Sequence, residues 1–302
     1  MSAQADSLKS IYFALGANFA IALAKSAGTV YTGSTSMLAE AIHSFADCAN
    51  QALLIWGLKE AKRKASPDHP LGYGRAIYFW SFIVALMLFS MGGLFSIYEG
   101  AHKLHDSEPV KAAWVAVGIL GFSIVAESVS LWGALREIDK ERGEMSLWRW
   151  FRTSRQSELL VVFGEDLAAL GGLVLALGFI ALAMATGNPV WDAIGSICIG
   201  VLLVAVAVLV GIEVKALLVG QSAEPQVLAA MRAHLESQPQ VARVYNLITQ
   251  QLGGEIMVAV KARMHPVASD VALIHAINTT ERSLREAFPQ VRWLFFEPDL
   301  AD

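Results

Sequence analysis

The sequence is short of charge and short of cysteine. Charged residues fill 17% of its 302 positions and hydrophobic residues 55%, whereas an ordinary soluble domain carries about a quarter charged residues. With a mean hydropathy of +0.49, this balance argues against a soluble globular chain and for a membrane protein. The two cysteines, Cys48 and Cys198, both sit in apolar runs. They exclude a disulfide framework and a Cys-rich metal cluster, and read as small buried apolar residues. The net charge of −4 argues against a nucleic-acid partner. The opening "MSAQADSLKS" has neither an Arg-rich amphipathic presequence nor the basic region and cleavage site of a signal peptide. The first apolar run is therefore expected to stay in the mature protein.

Long apolar runs dominate what is present. Six are long enough to cross a bilayer, at about 10–31, 37–60, 77–101, 112–135, 158–184 and 191–213, since a crossing takes about 20 residues. Lys and Arg crowd the second-to-third connection (Lys59, Lys62, Arg63, Lys64, Arg75) and the fourth-to-fifth (Arg136, Lys140, Arg142, Arg149, Arg152, Arg155). The first-to-second and fifth-to-sixth connections have none, and Asp106 and Glu108 offset Lys103 and Lys111 in the third-to-fourth. The excess of positive charge on one side predicts six spans with both termini in the cytoplasm. A multi-pass protein of a bacterial inner membrane is the expected setting.

The remaining segment is mixed in character. The expected division is a six-span domain over 1–215 and a cytoplasmic domain over 216–302. Helical patterns at 224–237 and 269–286 frame strand patterns at 241–250 and 255–264, and "VRWLFF" closes the series. In the second strand Ile256, Val258, Val260, Ala262 and Met264 alternate onto one face, and Gly253-Gly254 supplies a hairpin turn. The order α-β-β-α-β suits a ferredoxin-like α+β sandwich.

Ionisable residues inside spans are costly and mark function by default. They are Lys25, Glu40, His43, Asp47, Glu127, Glu165 and Asp166, with Glu99 and His102 near the end of the third span. Asp192, at the start of the sixth, reads as a helix N-cap. His43 and Asp47 are four apart and share a helix face; Glu40 lies one turn earlier. An imidazole and a carboxylate one turn apart make half a site for a borderline divalent metal such as Zn²⁺, and Asp166 in "GEDLAAL" is the obvious donor from another span. Lys25 reads as a counter-charge to an intramembrane carboxylate. Glu127 fits either as its partner or as a proton carrier.

Four stretches together resemble the cation diffusion facilitator family: "SMLAEAIHSFADCANQALL" (36–54), "PDHPLGYGRAIYFWS" (67–81), "GEDLAAL" (164–170) and "GNPVWDAIGSICIGVLL" (187–203). The likeness is greatest to the branch holding the animal mitochondrial zinc transporter. The resemblance implies a homodimeric divalent-cation/proton antiporter with six spans and a ferredoxin-like tail. It also implies a transport site of two ligands four apart in span 2, matched by His43 and Asp47, and two four apart in span 5. Asp166 matches the second of these, but Val162 stands where the first belongs. Glu165, Glu40 and Glu127 are the candidates to complete the set. An oxygen-richer site leaves Mn²⁺, Fe²⁺ and Co²⁺ open beside Zn²⁺, and Cd²⁺ stands with them among the ions that could be transported. Asp68 and His69 match part of a second metal site of some bacterial members, with Tyr73 where another histidine is expected. The tail's last strand ends in "LFFEPD", with Phe where those members have His, and His234, His265 and His275 are scattered, so few regulatory metals and a tail dimerising by packing are expected.

The expected function is efflux of a Zn-like divalent ion by alternating access, with protons and lipid as the other partners. No enzyme activity and no resident cofactor are expected. His43 suits proton exchange because an unperturbed imidazole titrates near pH 6.5. Two rivals carry some weight. Glu40-x-x-His43 and Glu99-x-x-His102 match the ligand pattern of di-iron bundles. The missing span-5 ligand fits a metal sensor that no longer transports.

Overall fold

The computed structural model describes residues 12, 15, 16, 18–27, 30, 35–105 and 113–301; the side chains of 35–43, 113 and 116 lie outside that description. Residues 18–27 are helical, and the rest of the predicted first span falls largely outside the described residues. The helices that follow are α1 (Thr35–Ala61), α2 (Ala76–Met87), α3 (Phe95–Lys103), α4 (Ala113–Arg142), α5 (Leu147–Thr153), α6 (Ser157–Thr186) and α7 (Val190–Val219). A single π-helical turn, Leu88–Leu94, joins α2 to α3. Among the described residues four helices are long and apolar enough to cross a membrane: Ala76–Lys103, Val117–Arg142, Ser157–Thr186 and Val190–Val219. The helix of the predicted second span, α1, is more polar, because His43, Asp47, Asn50 and Gln51 succeed one another along it.

The tail consists of α8 (Pro225–Glu236), β1 (Val241–Leu252), β2 (Glu255–Met264), α9 (Asp270–Ala287) and β3 (Val291–Pro298), in the predicted α-β-β-α-β order. Pro225 opens α8, where its missing N–H is no loss. Ser269 caps α9 by accepting from the Ala272 N–H at 3.2 Å. β1 and β2 pair antiparallel through the Gly253-Gly254 turn, and β3 adds parallel to β2. Ile256, Val258, Val260 and Ala262 are buried as the alternation predicts. They share a core with Met231 and Leu235 of α8 and Leu284 of α9.

Two features seat this unit against the spans. Gly253 takes φ +67°, and a Cβ there would lie 2.5 Å from the carbonyl oxygen of Gly74. The Tyr78 hydroxyl, at the start of α2, accepts from the Gly253 N–H at 2.9 Å. The Arg155 guanidinium also donates to the Ser222 carbonyl at 2.7 Å, and Ser222 in turn meets Thr249 of β1 at 2.7 Å.

Glycines also set the packing of the third span on the sixth. A Cβ at Gly200 would lie 2.7 Å from the Gly93 carbonyl, and one at Gly100 would lie 2.8 Å from the Ala193 carbonyl. Backbone therefore meets backbone at two levels along the pair.

Three local details differ from expectation. Asp192 is not the N-cap of its helix: Pro189 holds that position, and Asp192 sits in the first turn paired with Lys103 at 3.7 Å. The carboxylate gains from the helix dipole and from the cation, so it needs no capping role. The fourth-to-fifth connection, for which sequence patterns predict no element, contains α5, capped by Ser146. The third span carries the π turn, which no periodicity in "LFSMGGL" announces.

Candidate functional site

Asp166 and Glu165 are both almost fully buried, at 1% and 4% exposed. They are consecutive on α6, so their side chains leave the helix about 100° apart. The structure uses that angle to aim them at different neighbours. Asp166 turns to α4, where Ser130 donates to it at 2.9 Å. Glu165 turns to α1, where Asn50 donates to it at 3.1 Å.

The other acids gather round the same centre. Asp47 lies within electrostatic reach of Glu165, Asp166 and Glu127. Glu127, buried on α4, also feels the positive charge of buried Lys25 from the first span. Four of these ionisable groups, Lys25, Glu127, Glu165 and Asp166, are buried, and Asp47 is half-buried within their electrostatic reach. Both readings of Glu127 survive, since it neighbours the Lys25 cation and the Asp166 carboxylate together. Cys48, half-buried, has Asp47 and Glu165 as its charged neighbours.

Four oxygen acceptors in this region have no hydrogen-bond partner among the described residues: Asn50 Oδ1, Glu127 Oε2, Glu165 Oε2 and Asp166 Oδ1. Buried polar atoms are normally paired. A group of unpaired acceptors, all oxygen, is the donor set that a divalent cation or a proton would satisfy. Nevertheless, among the described residues no three His, Cys, Asp or Glu side chains converge closely enough to enclose a metal ion. His43 and Glu40 lie on α1, one and two turns before Asp47, with side chains outside the described set.

Val162 is buried in the apolar cluster with Leu54, Leu58, Leu159 and Val210. One turn along α6 from Asp166, a buried apolar residue stands where the resemblance implies a ligand.

Several partners were not singled out in the sequence. Asn50 and Gln51 follow Asp47 by three and four residues, and Ser123 and Ser130 flank Glu127 by four and three. Helical spacing alone puts each pair on a shared face. Gln51 is fully buried, and its amide has no hydrogen-bond partner among the described residues. A small recess, with free volume of about 10 Å³, opens beside Asp47 and Asn50, lined across from them by Met87, Met91 and Gly92.

The remaining candidates lie apart. Asp68 and His69 occupy an exposed turn in which Ser66 and His69 exchange backbone hydrogen bonds. The His69 ring stacks on Tyr73 at 4.3 Å, and Arg63 lies over the same ring. Tyr73 therefore organises this loop where another metal ligand was expected. Glu99 pairs with Lys103 at 3.2 Å and His102 is exposed. This engages the second Glu-x-x-His pattern elsewhere, and the di-iron alternative loses half its ligands.

The family described as "cation efflux transmembrane domain" matches residues 11–219. A Xenopus laevis protein named "Proton-coupled zinc antiporter SLC30A9, mitochondrial" is 36% identical over 226 residues, 74% of this chain and 40% of the relative. Its Homo sapiens counterpart is 34% identical over 227 residues, with the same coverage of 74% and 40%. Metal tolerance protein C4 of Arabidopsis thaliana is 31% identical over 250 residues, 82% of this chain and 54% of the relative. The chain thus spans about 40% of the length of the animal relatives. With more than two thirds of its length matched by the family and relatives above 30% identity, this chain belongs to the cation efflux, or cation diffusion facilitator, family, near the SLC30A9 branch.

Proposed function

We propose that this protein moves a divalent transition-metal ion, zinc or a zinc-like ion such as Mn²⁺, Fe²⁺, Co²⁺ or Cd²⁺, out of the cytoplasm in exchange for protons. The reading takes residues 1–215 as six spans and 216–302 as a cytoplasmic ferredoxin-like domain, assembled as a homodimer. The observation that carries it is the oxygen-rich centre in which Glu165 and Asp166 of α6, both buried and each with an acceptor oxygen that has no hydrogen-bond partner among the described residues, lie within electrostatic reach of half-buried Asp47 of α1. Relatives named as a proton-coupled zinc antiporter and a metal tolerance protein support the same chemistry. The membrane itself is left unspecified: the bacterial inner membrane expected from the sequence has no support in the animal relatives, which are named mitochondrial.

In this reading His43, Asp47 and Asp166 hold the ion. They bind it only when deprotonated, so loading releases protons and returning protons release the ion. Ser130 orients Asp166, and Asn50 orients Glu165, which is the first candidate for the place that Val162 does not fill. Lys25 and Glu127 balance charge beside them and give the proton a neighbouring carboxylate.

The test is metal-driven proton flux in proteoliposomes with Zn²⁺, Mn²⁺, Fe²⁺, Co²⁺ and Cd²⁺. Asp47→Ala and Asp166→Ala are each expected to abolish it. Wild-type flux in both variants refutes the site. Glu165→Gln distinguishes a ligand, whose loss removes flux, from a neighbour, whose loss leaves it near the wild-type rate.

A further inference from the structure

The helix between the fourth and fifth spans has an outward face that the transport reading does not use. Trp150 and Phe151 anchor α5: both are buried in the cluster that holds Ala134 and Ile138 of α4 and Leu159 and Leu160 of α6. Leu147, Trp148, Arg149 and Arg152 are exposed. Trp148 is 61% exposed, yet its ring is held, stacked on Phe151 with centroids 5.9 Å apart and planes inclined by 12°. A helix with Trp and Leu on its outward face and Arg beside them has the pattern of an element lying in a bilayer interface.

The depth of α5 follows from its contacts. α4 and α6 run antiparallel, with Ser130 bonded to Asp166 at 2.9 Å and Gln156 bonded to Glu141. In that register Phe163, three residues before Asp166, lies level with Gly133, three after Ser130. Trp150 meets the Phe163 ring edge-on at 6.0 Å, so α5 sits at the depth of Trp132. Trp132 is itself 53% exposed, and the Arg136 guanidinium lies over its ring at 3.9 Å. Two exposed tryptophans, each followed within a turn by an arginine, thus share one depth, at the end of the spans where Arg155 reaches the tail. Tryptophan gathers where hydrocarbon meets headgroups.

Part of the positive charge at this depth is not neutralised within the protein. Glu137 and Asp139 are taken up by Lys140 and Arg142, each at 2.6 Å, and Arg152 pairs with Glu213. Arg136 and Arg149 have no carboxylate within ion-pair distance among the described residues. Glu144 is exposed in the turn that precedes α5.

We propose that α5 and the adjoining end of α4 dock anionic phospholipid: Trp148 and Trp132 sit among the glycerol and upper chain segments, and Arg149 and Arg136 hold the phosphates. Arginine suits this role because its planar fork takes two phosphate oxygens at once. A second copy is the poorer occupant, since a symmetric interface through this face brings the same arginines toward each other. The surface serves whichever ion is moved, and its test needs no transport.

The test uses the full-length protein in vesicles of phosphatidylcholine with a minority of phosphatidylglycerol, one lipid or the other carrying bromine near the head of its chains. Emission of the wild type minus that of Trp148→Phe isolates Trp148. Per mole, brominated phosphatidylglycerol should quench it about fivefold more than brominated phosphatidylcholine, the enrichment that one arginine near a surface gives a singly charged lipid. Raised salt should lower that ratio. Arg149→Gln changes an exposed side chain and should leave folding intact, while bringing the ratio close to unity. A ratio near unity in the wild type, or one that survives Arg149→Gln, overturns the proposal. So does Trp148 emission that neither lipid quenches, the result expected if a second copy covers the face.

Discussion

Replacing Gly253 by alanine tests how the tail is held to the spans. Gly253 sits at the tip of the β1–β2 hairpin with φ +67°. An L-residue there bears about 1–2 kcal/mol of backbone strain. Its new Cβ would lie 2.5 Å from the Gly74 carbonyl oxygen and 3.2 Å from the Gly74 Cα. Both are backbone atoms, so neither can swing aside. The tip must retreat, and the 2.9 Å hydrogen bond from its N–H to the buried Tyr78 hydroxyl then breaks. An orphaned partner of that kind costs about 1–3 kcal/mol. The sum is about 2 kcal/mol or more, equivalent to roughly 30-fold faster local opening. Hydrogen exchange of the Leu252–Glu255 amides in the full-length protein reads this directly. Gly254→Ala is the control, because Gly254 is exposed and has no positive φ. Tyr78→Phe should reproduce part of the loss without touching the glycine. Exchange in Gly253→Ala within about threefold of wild type, with the tail still folded, refutes the idea that this contact locks the tail in place.

Three further outcomes are expected. Asn50→Ala removes the hydrogen bond to Glu165 and should raise the half-saturating metal concentration about 10–100-fold in flux assays, as loss of an orienting contact does; no change makes Glu165 a bystander. Val162→Asp places a carboxyl among Leu54, Leu58 and Val210 and should lower the melting temperature in detergent rather than improve metal binding; tighter binding with unchanged stability shows that the fourth ligand position is open. Glu224 titrates above its ordinary value of 4.5, chiefly because burial disfavours its charge and despite the Arg155 cation beside it. The folded state therefore holds this proton more tightly than the unfolded chain, and its contribution is full below about pH 4.5 and lost as pH rises through the raised value. Glu224→Gln should flatten the pH dependence of tail stability over that window, measured by denaturation at stepped pH.

Much of the fold was readable because its physics is periodic. The α-β-β-α-β order, the Gly253-Gly254 turn and the buried face of β2 follow from alternation and from residues with special backbone freedom. Asp47, Glu165 and Asp166 were readable because charge in an apolar run needs a reason. What spacing could not convey was direction across helices. That Glu165 faces Asn50 and Asp166 faces Ser130 depends on how α6 is rotated between α1 and α4. The π turn was invisible for a similar reason: "LFSMGGL" is as compatible with a regular helix, and the close approach of Gly93 to α7 is a tertiary contact that no spacing announces. Asp192 was misread as a cap because its partner, Lys103, is distant in sequence.

The glycine contacts between the third and sixth spans divide the molecule mechanically. Where backbone touches backbone, as at Gly93 and Gly200, no side chain can yield, and the pair behaves as a strut. Where α6 meets α1 and α4, Glu165 and Asp166 are each bridged by one side-chain hydrogen bond, from Asn50 and Ser130, and each keeps an acceptor oxygen with no partner among the described residues. A rotation of α6 there exchanges two hydrogen bonds, whereas a slide of the third span on the sixth drives backbone into backbone.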